Sequence, residues 1–237
     1  MRSCTTQPSL FRALLREVTY NLAYEATALS DLKLRAVDVS VHGSDETVKG
    51  LKLASSVAVV PIMRSGLGMV DAVLELLPQA SVHHIGMYTN KFSSGSCDGE
   101  SMPVQYYNRL PKVCSCDIAY VLDPVIASGN TAVSVVGILK NWGVKRVHVV
   151  SVVASDIGLK TLMERHPDVH VTLGKVDPTE VEESGKFRFV GIGDAGDRQF
   201  GTGPENDIDE DEELVSVHKR KRTMSCGNCS DISNNTK

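Results

Sequence analysis

Apolar residues at Leu10, Leu14, Leu15, Val18 and Leu22 recur at the spacing of one helical face, which predicts a packing helix over residues 9–29 with Ser9 as its N-cap. A polar stretch follows. The run VAVVPI at residues 57–62 is continuous, rich in β-branched side chains and short, the pattern of a strand buried on both faces. After it come Met63, Arg64, Ser65, Gly66, Leu67 and Gly68, then a helical pattern through Val70, Val73, Leu74 and Leu77 that stops at Pro78.

The strand, loop and helix unit then recurs. Residues 82–87 read as a strand in which His83 and His84 point to opposite faces as structural side chains. Residues 118–122 read as a strand, 131–142 as a helix ended by Gly143, 147–153 as a strand, 157–166 as a helix ended by Pro167, and 169–173 as a further strand. Such alternation predicts an α/β fold, a parallel β-sheet with flanking helices on both faces. Ligands bind such sheets at the carboxyl ends of the strands, so the loops at 63–68 and 123–131 are where chemistry is expected. Two segments break the rhythm. Residues 89–103, rich in Ser and Gly, read as a long flexible loop able to act as a lid, and residues 203–237, acidic, then basic, then polar, as a disordered charged tail.

A chain of 237 residues with 42% hydrophobic content predicts one domain plus tails. The net charge of −4 gives no global reason to bind nucleic acid or an anionic membrane, which leaves small ligands or proteins as the expected partners. No apolar run approaches the roughly 20 residues of a membrane span, and the opening MRSCTTQPSLFR has no signal-like apolar region, so a cytoplasmic location is expected. The six cysteines are expected as free thiols. Cys226 and Cys229 have no second pair nearby to complete a zinc site.

The segment YVLDPVIASGNTA at residues 120–132 runs from a strand through a turn of small residues into a helix. Free N–H groups at the helix start, the hydroxyls of Ser128 and Thr131 and the close approach allowed by Gly129 would make a phosphate cradle. A simple helix cap is the alternative reading of the same pattern. Asp123, at the strand's end, can accept hydrogen bonds from two vicinal hydroxyls such as those of ribose. Arg64, at a strand's carboxyl end beside glycines, is better placed for an anion than for a surface ion pair.

PIMRSGLGMVDAVLELLP (61–78), LDPVIASGNTA (122–132), HPDV (166–169) and GIGDAGDRQFGT (191–202) resemble, in order and spacing, the uracil phosphoribosyltransferases, and the likeness covers about residues 11–202. The resemblance implies a type I phosphoribosyltransferase fold over residues 1–202, with a base-binding hood at about 174–202. It also implies the conversion of uracil and phosphoribosyl pyrophosphate (PRPP) to UMP and pyrophosphate in pyrimidine salvage, with Mg2+, by a homo-oligomer, either dimer or tetramer. PRPP would meet Arg64, Asp123, Pro124, Val125, Ile126, Ala127, Ser128, Gly129, Asn130, Thr131 and Asp194, and uracil would meet Arg188, Gly193, Asp194 and Ala195. Arg64 and Asp194 would be the catalytic pair, with magnesium arriving on PRPP and reaching Asp194 through water.

The chain departs from the family pattern at Thr89, where many relatives carry arginine, with Lys91 nearby, and at Phe187, Arg188 and Val190. Two alternatives follow: a non-catalytic PRPP- or nucleotide-binding regulator, suggested by Thr89, and a phosphoribosyltransferase for another base such as orotate, suggested by Arg188. The basic run from Lys219 to Arg222 also reads as a nuclear localisation signal.

Overall fold

The structure is a computed structural model and describes residues 1–29, 32–89, 103–181 and 187–203. Contacts divide the chain into Met1–Gln199, which holds every element below except the last residue of the final helix, and Phe200–Lys237, of which residues 200–203 are described. Most of the expected tail therefore lies outside the described residues, as do residues 90–102 of the expected lid, Lys91 included.

Helix α1 (Pro8–Leu29) begins one residue earlier than expected, so Ser9 sits inside its first turn and is not the cap. Proline suits this first helical position because the N–H it lacks would have no intrahelical partner there. The polar stretch after α1 contains an antiparallel hairpin of β1 (Leu34–Ser40) and β2 (Thr47–Leu53), which the hydrophobic pattern did not reveal. The reason is exposure on both faces: Leu51 on one is 74% and Val48 on the other 52% accessible, so no alternation of buried and exposed positions exists to be read.

The main sheet contains β3 (Val57–Met63), β4 (Ser81–Val82), β5 (Ile85–Thr89), β6 (Pro103–Asn108), β7 (Ile118–Leu122), β8 (Val125–Ile126), β9 (Arg146–Ser155) and β10 (His170–Asp177). Its path runs β10-β9-β7-β3-β5-β6, with β4 beside β3 and β8 beside β9. All pairs are parallel except β5 with β6, an edge strand that the pattern did not predict.

The strand expected over 82–87 is interrupted at His83 and His84, which belong to neither β4 nor β5. Val59 pairs with Val82 and Ile62 with Ile85, so the break falls opposite Val60 and Pro61 without a change of register. Pro61 has no N–H for the ladder there. His83 instead meets the Trp142 ring edge-on at 5.2 Å between centroids.

Both faces of the sheet are covered. Ala119 and Val121 of β7 join Val135, Val136 and Leu139 of α3 (Asn130–Trp142) and Leu162 of α4 (Asp156–Arg165) in one core. Ile118, Tyr120 and Leu122 turn to the other face, with Phe11 and Leu15 of α1 and Val73 of α2 (Val70–Leu76). This two-sided burial is why β3 and β7 read as unbroken apolar runs. The remaining elements are the short pair β11 (Glu180–Val181) and β12 (Phe187–Arg188), and α5 (Ala195–Phe200).

A titratable side chain, His148, is buried in the second face. His148 on β9 bonds Thr172 Oγ1 at 2.8 Å, stacks on Tyr120 at 5.5 Å and lies 5.6 Å from the His170 ring. Burial, with a smaller contribution from the charge of His170, lowers its pKa from the usual 6.5 to about 4. The unfolded chain therefore binds this proton at a pH where the fold excludes it. The contribution is complete above about pH 6.5 and is lost as pH falls towards 4. His148→Phe should lose roughly 1–2 kcal/mol less than wild type between pH 7 and pH 5 in urea unfolding. Parallel acid limbs for the two proteins would refute this account.

Candidate active site

The loops at the carboxyl ends of β3 and β7 lie side by side. Leaving β3, the chain passes Arg64 and enters a 3-10 turn at Ser65–Met69. Gly66 rests against the end of β7: a Cβ there would lie 2.3 Å from the Leu122 carbonyl oxygen and 3.2 Å from Pro61 Cα. Backbone faces backbone, so no side-chain movement could make room. The approach brings Ser65 Oγ to 3.5 Å from Asp123 Oδ1, a long hydrogen bond.

Asp123 is buried, and its Oδ1 also accepts from the Val125 N–H at 3.4 Å. Burial dominates these weak bonds and pushes its pKa from 3.8 up to about 7. Stronger donors to this carboxyl group would favour its ionised form.

Beyond Asp123 the expected loop is more ordered than a simple turn. The Pro124 carbonyl accepts from the Val152 and Val153 N–H groups, and β8 pairs Val125 with Val153 and Ile126 with Ala154. Pro124 and Ile126 are buried, whereas Ala127 and Ser128 are exposed. Gly129 precedes α3 at φ +82, and a Cβ on it would come within 2.4 Å of the Gly158 carbonyl oxygen. Ser155, the N-cap of α4, accepts from Gly158 N and donates to the Ala127 carbonyl. The loop that opens α3 is therefore braced by the start of α4, which periodicity could not disclose. Asn130 N donates to Ser128 Oγ at 3.4 Å.

The third component is the GDAGDRQ segment. Asp194 Oδ1 accepts from Asp197 N at 3.0 Å and so caps α5, with the carboxylate exposed at the rim. Gly193, at φ +73, is exposed and Ala195 buried. Arg64 Nη2 bonds Asp197 Oδ1 at 2.8 Å, and a Cβ on Gly196 would lie 3.6 Å from that same nitrogen. Gln199, fully buried, donates through Nε2 to the Ser65 carbonyl at 2.8 Å.

Arg64, Asp123 and Asp194 thus belong to one connected network, although 59 residues separate the first two. Ser65, Asp197 and Gln199 carry the connection and were not singled out from the sequence. Their adjacency to Arg64 or their place in the GDAGDRQ motif was the available signal. The Arg188 side chain lies outside the described residues; its backbone belongs to β12, paired with Glu180. Thr89 ends β5. Among the described residues no three His, Cys, Asp or Glu side chains cluster as a metal cage, and no helix is long and apolar enough to cross a membrane.

Comparison with known proteins agrees with this architecture. The family profile described as uracil phosphoribosyltransferase matches residues 1–202. A uracil phosphoribosyltransferase of Agathobacter rectalis is 43% identical over 202 residues, 85% of this chain and 91% of its own. One from Roseiflexus sp. is 40% identical over 203 residues, 86% of this chain and 91% of its own. The solved AQ2163 protein of Aquifex aeolicus aligns with a TM-score of 0.73 at 27% identity, covering 86% of this chain and 91% of that one. With the profile spanning every element of the site from Arg64 to Gln199, this chain belongs to the uracil phosphoribosyltransferase family.

Proposed function

We propose that this protein is a pentosyltransferase of pyrimidine salvage that joins uracil to PRPP, giving UMP and pyrophosphate. The observation that carries the reading is the convergence of Arg64, buried Asp123 and the 193–195 loop at one edge of the sheet, in a chain of this family. Breaking the bond from ribose C1 to pyrophosphate places positive charge on the sugar and negative charge on the leaving group. Uracil N1 bonds to C1 as the C1–oxygen bond breaks with its electron pair going to pyrophosphate, and the N1 proton passes to the departing pyrophosphate or to solvent. Arg64 neutralises the leaving group, and release from Asp197 would let it turn to the phosphates. Asp123 accepts from the two ribose hydroxyls, while the backbone around Ala127, Ser128, Gly129, Asn130 and Thr131 holds the 5-phosphate at the start of α3.

Gly193, Asp194 and Ala195, with backbone near Arg188, read the base. Irregular backbone can present both donors and acceptors to the acceptor-donor-acceptor edge of uracil. Positioning of the base nitrogen can lower the barrier by up to about 7–11 kcal/mol without a covalent nucleophile.

Magnesium fits this donor set. The exposed Asp194 carboxylate is a hard oxygen ligand able to reach the ion directly or through water, and Mg2+ is commonly held by one or two carboxylates together with substrate phosphates. When bound, it supplies charge neutralisation at the departing pyrophosphate. We further infer a cytoplasmic homo-oligomer. Free Cys4, Cys114 and Cys116 suit a reducing compartment, and the exposed apolar side chains of the β1–β2 hairpin suit self-association.

Incubation with PRPP, Mg2+ and a panel of bases tests the assignment. Uracil should be converted with a kcat/KM at least about tenfold above that for cytosine, because each buried mismatch costs roughly 1–3 kcal/mol. Preference for orotate would transfer the assignment to that base, and PRPP binding without product would favour a regulator.

Asp123 generates a second prediction. Its pKa stands near 7 in the free protein, and hydroxyl donors favour the ionised form, so PRPP binding should release a proton. Affinity should rise with pH up to about 7 by as much as tenfold per unit beyond the titration of PRPP itself. Asp123→Asn should bind PRPP more weakly and lose this extra pH dependence in calorimetry. Unaltered affinity in the folded variant would show that the carboxylate does not meet the ribose.

A further inference from the structure

The base-binding segment is irregular backbone, with Ile192 buried in the core beside α1 and Phe189 packed against it. Residues 189–194 form no helix or strand, and Gly191 and Gly193 adopt φ +47 and +73, so backbone hydrogen bonding alone does little to hold them. What crosses them is the segment at residues 1–3. Arg2 Nη1 donates to the Gly191 carbonyl at 3.1 Å while Nη2 bonds Asp177 Oδ1 at 2.9 Å. Asp177 ends β10, is buried, and is held below the usual carboxylate range chiefly by Arg2. The arginine thus links the irregular loop to the end of a strand.

A second arginine makes the reciprocal connection. Arg198 Nη1 donates to the carbonyls of Met1 at 2.5 Å and Ile192 at 2.6 Å, and its Nη2 donates to the Ser3 carbonyl. Its guanidinium carbon lies 4.6 Å from the Phe11 ring centroid, so α1 supports the fork from below. Residues 1–3 and 191–193 are therefore clamped in both directions, with Gly193 next after the bonded Ile192. The ties from α5 to the Arg64 loop run separately, through Asp197 and Gln199.

We infer that Arg2 and Arg198 are positioning residues for the base loop: the strap at residues 1–3 holds residues 191–193 in the geometry that recognises uracil. This rests on the function proposed above and goes beyond it by giving two distant arginines a role in affinity for one substrate. A loop displaced by a fraction of an ångström loses backbone hydrogen bonds to the base and leaves the phosphate cradle intact.

Steady-state kinetics of the full chain, varying uracil and PRPP separately, tests the strap. Arg2→Ala is the primary variant because its side chain is 43% exposed and its loss should leave the core folded. It should raise KM for uracil by about five- to tenfold, with KM for PRPP and kcat within about twofold of wild type. Arg2→Lys, which retains the charge beside Asp177, should recover part of the loss. Hydrogen exchange without ligand should quicken at residues 191–195 in Arg2→Ala and stay unchanged at 123–131. Arg198→Ala, if folded, should repeat the pattern more strongly. An active wild type whose Arg2→Ala variant keeps its uracil KM, or changes both KM values together, overturns the strap and spares the functional assignment. A wild type inactive on uracil overturns that assignment instead.

Discussion

The backbone of Gly66 lies against the Leu122 carbonyl with no room for a Cβ between them, and the site is built around this contact. Leu122 directly precedes Asp123, so whatever rests on it is carried to the carboxylate. What rests on it is the turn bearing Arg64. Gln199 then secures α5 to the same turn through the Ser65 carbonyl, and Ser65 reaches Asp123. Three loops from distant parts of the chain thereby share one floor. Any side chain at position 66 would meet backbone on both sides and would separate Arg64 from Asp123.

The electrostatics of the site suit the same purpose. Burial raises the pKa of Asp123 to about 7, and Arg64 rests in an ion pair with Asp197. The bonds that Asp123 accepts from Ser65 and Val125 are long, whereas Arg64 is held by a carboxylate. In the proposed reaction a sugar phosphate would offer hydroxyl donors to Asp123 and anionic oxygens to Arg64. In that reaction Arg64 would have to leave Asp197, whereas Asp123 would need only to ionise in place.

The sheet explains why these loops meet at all. Parallel strands place their carboxyl ends at a common edge, and helices on both faces force the connections after β3 and β7 to begin there. Burial on two faces also leaves little tolerance for polar side chains. His148 is accommodated by staying neutral against Thr172 and stacked on Tyr120. Residues 189–194 belong to no strand, and burial of Ile192 is supplemented there by arginine forks reaching across from residues 1–3 and from α5.

Local pattern determined much of this protein. The α/β rhythm, the strands β3, β7 and β9, the helices α1, α3 and α4, and the loops bearing Arg64 and Asp123 were all legible, because each element's burial is written in its own periodicity. The GDAGDRQ motif likewise marked the third loop. The β1–β2 hairpin was illegible because both its faces are exposed, and the break at His83 and His84 because its cause, Pro61, lies on the neighbouring strand. Ser65 to Asp123, Gln199 to Ser65, Arg2 to Asp177 and Arg198 to Met1 were decided only by tertiary structure. Each joins residues 58 to 197 positions apart, and a hydrogen bond across such a separation leaves no period in the chain that forms it.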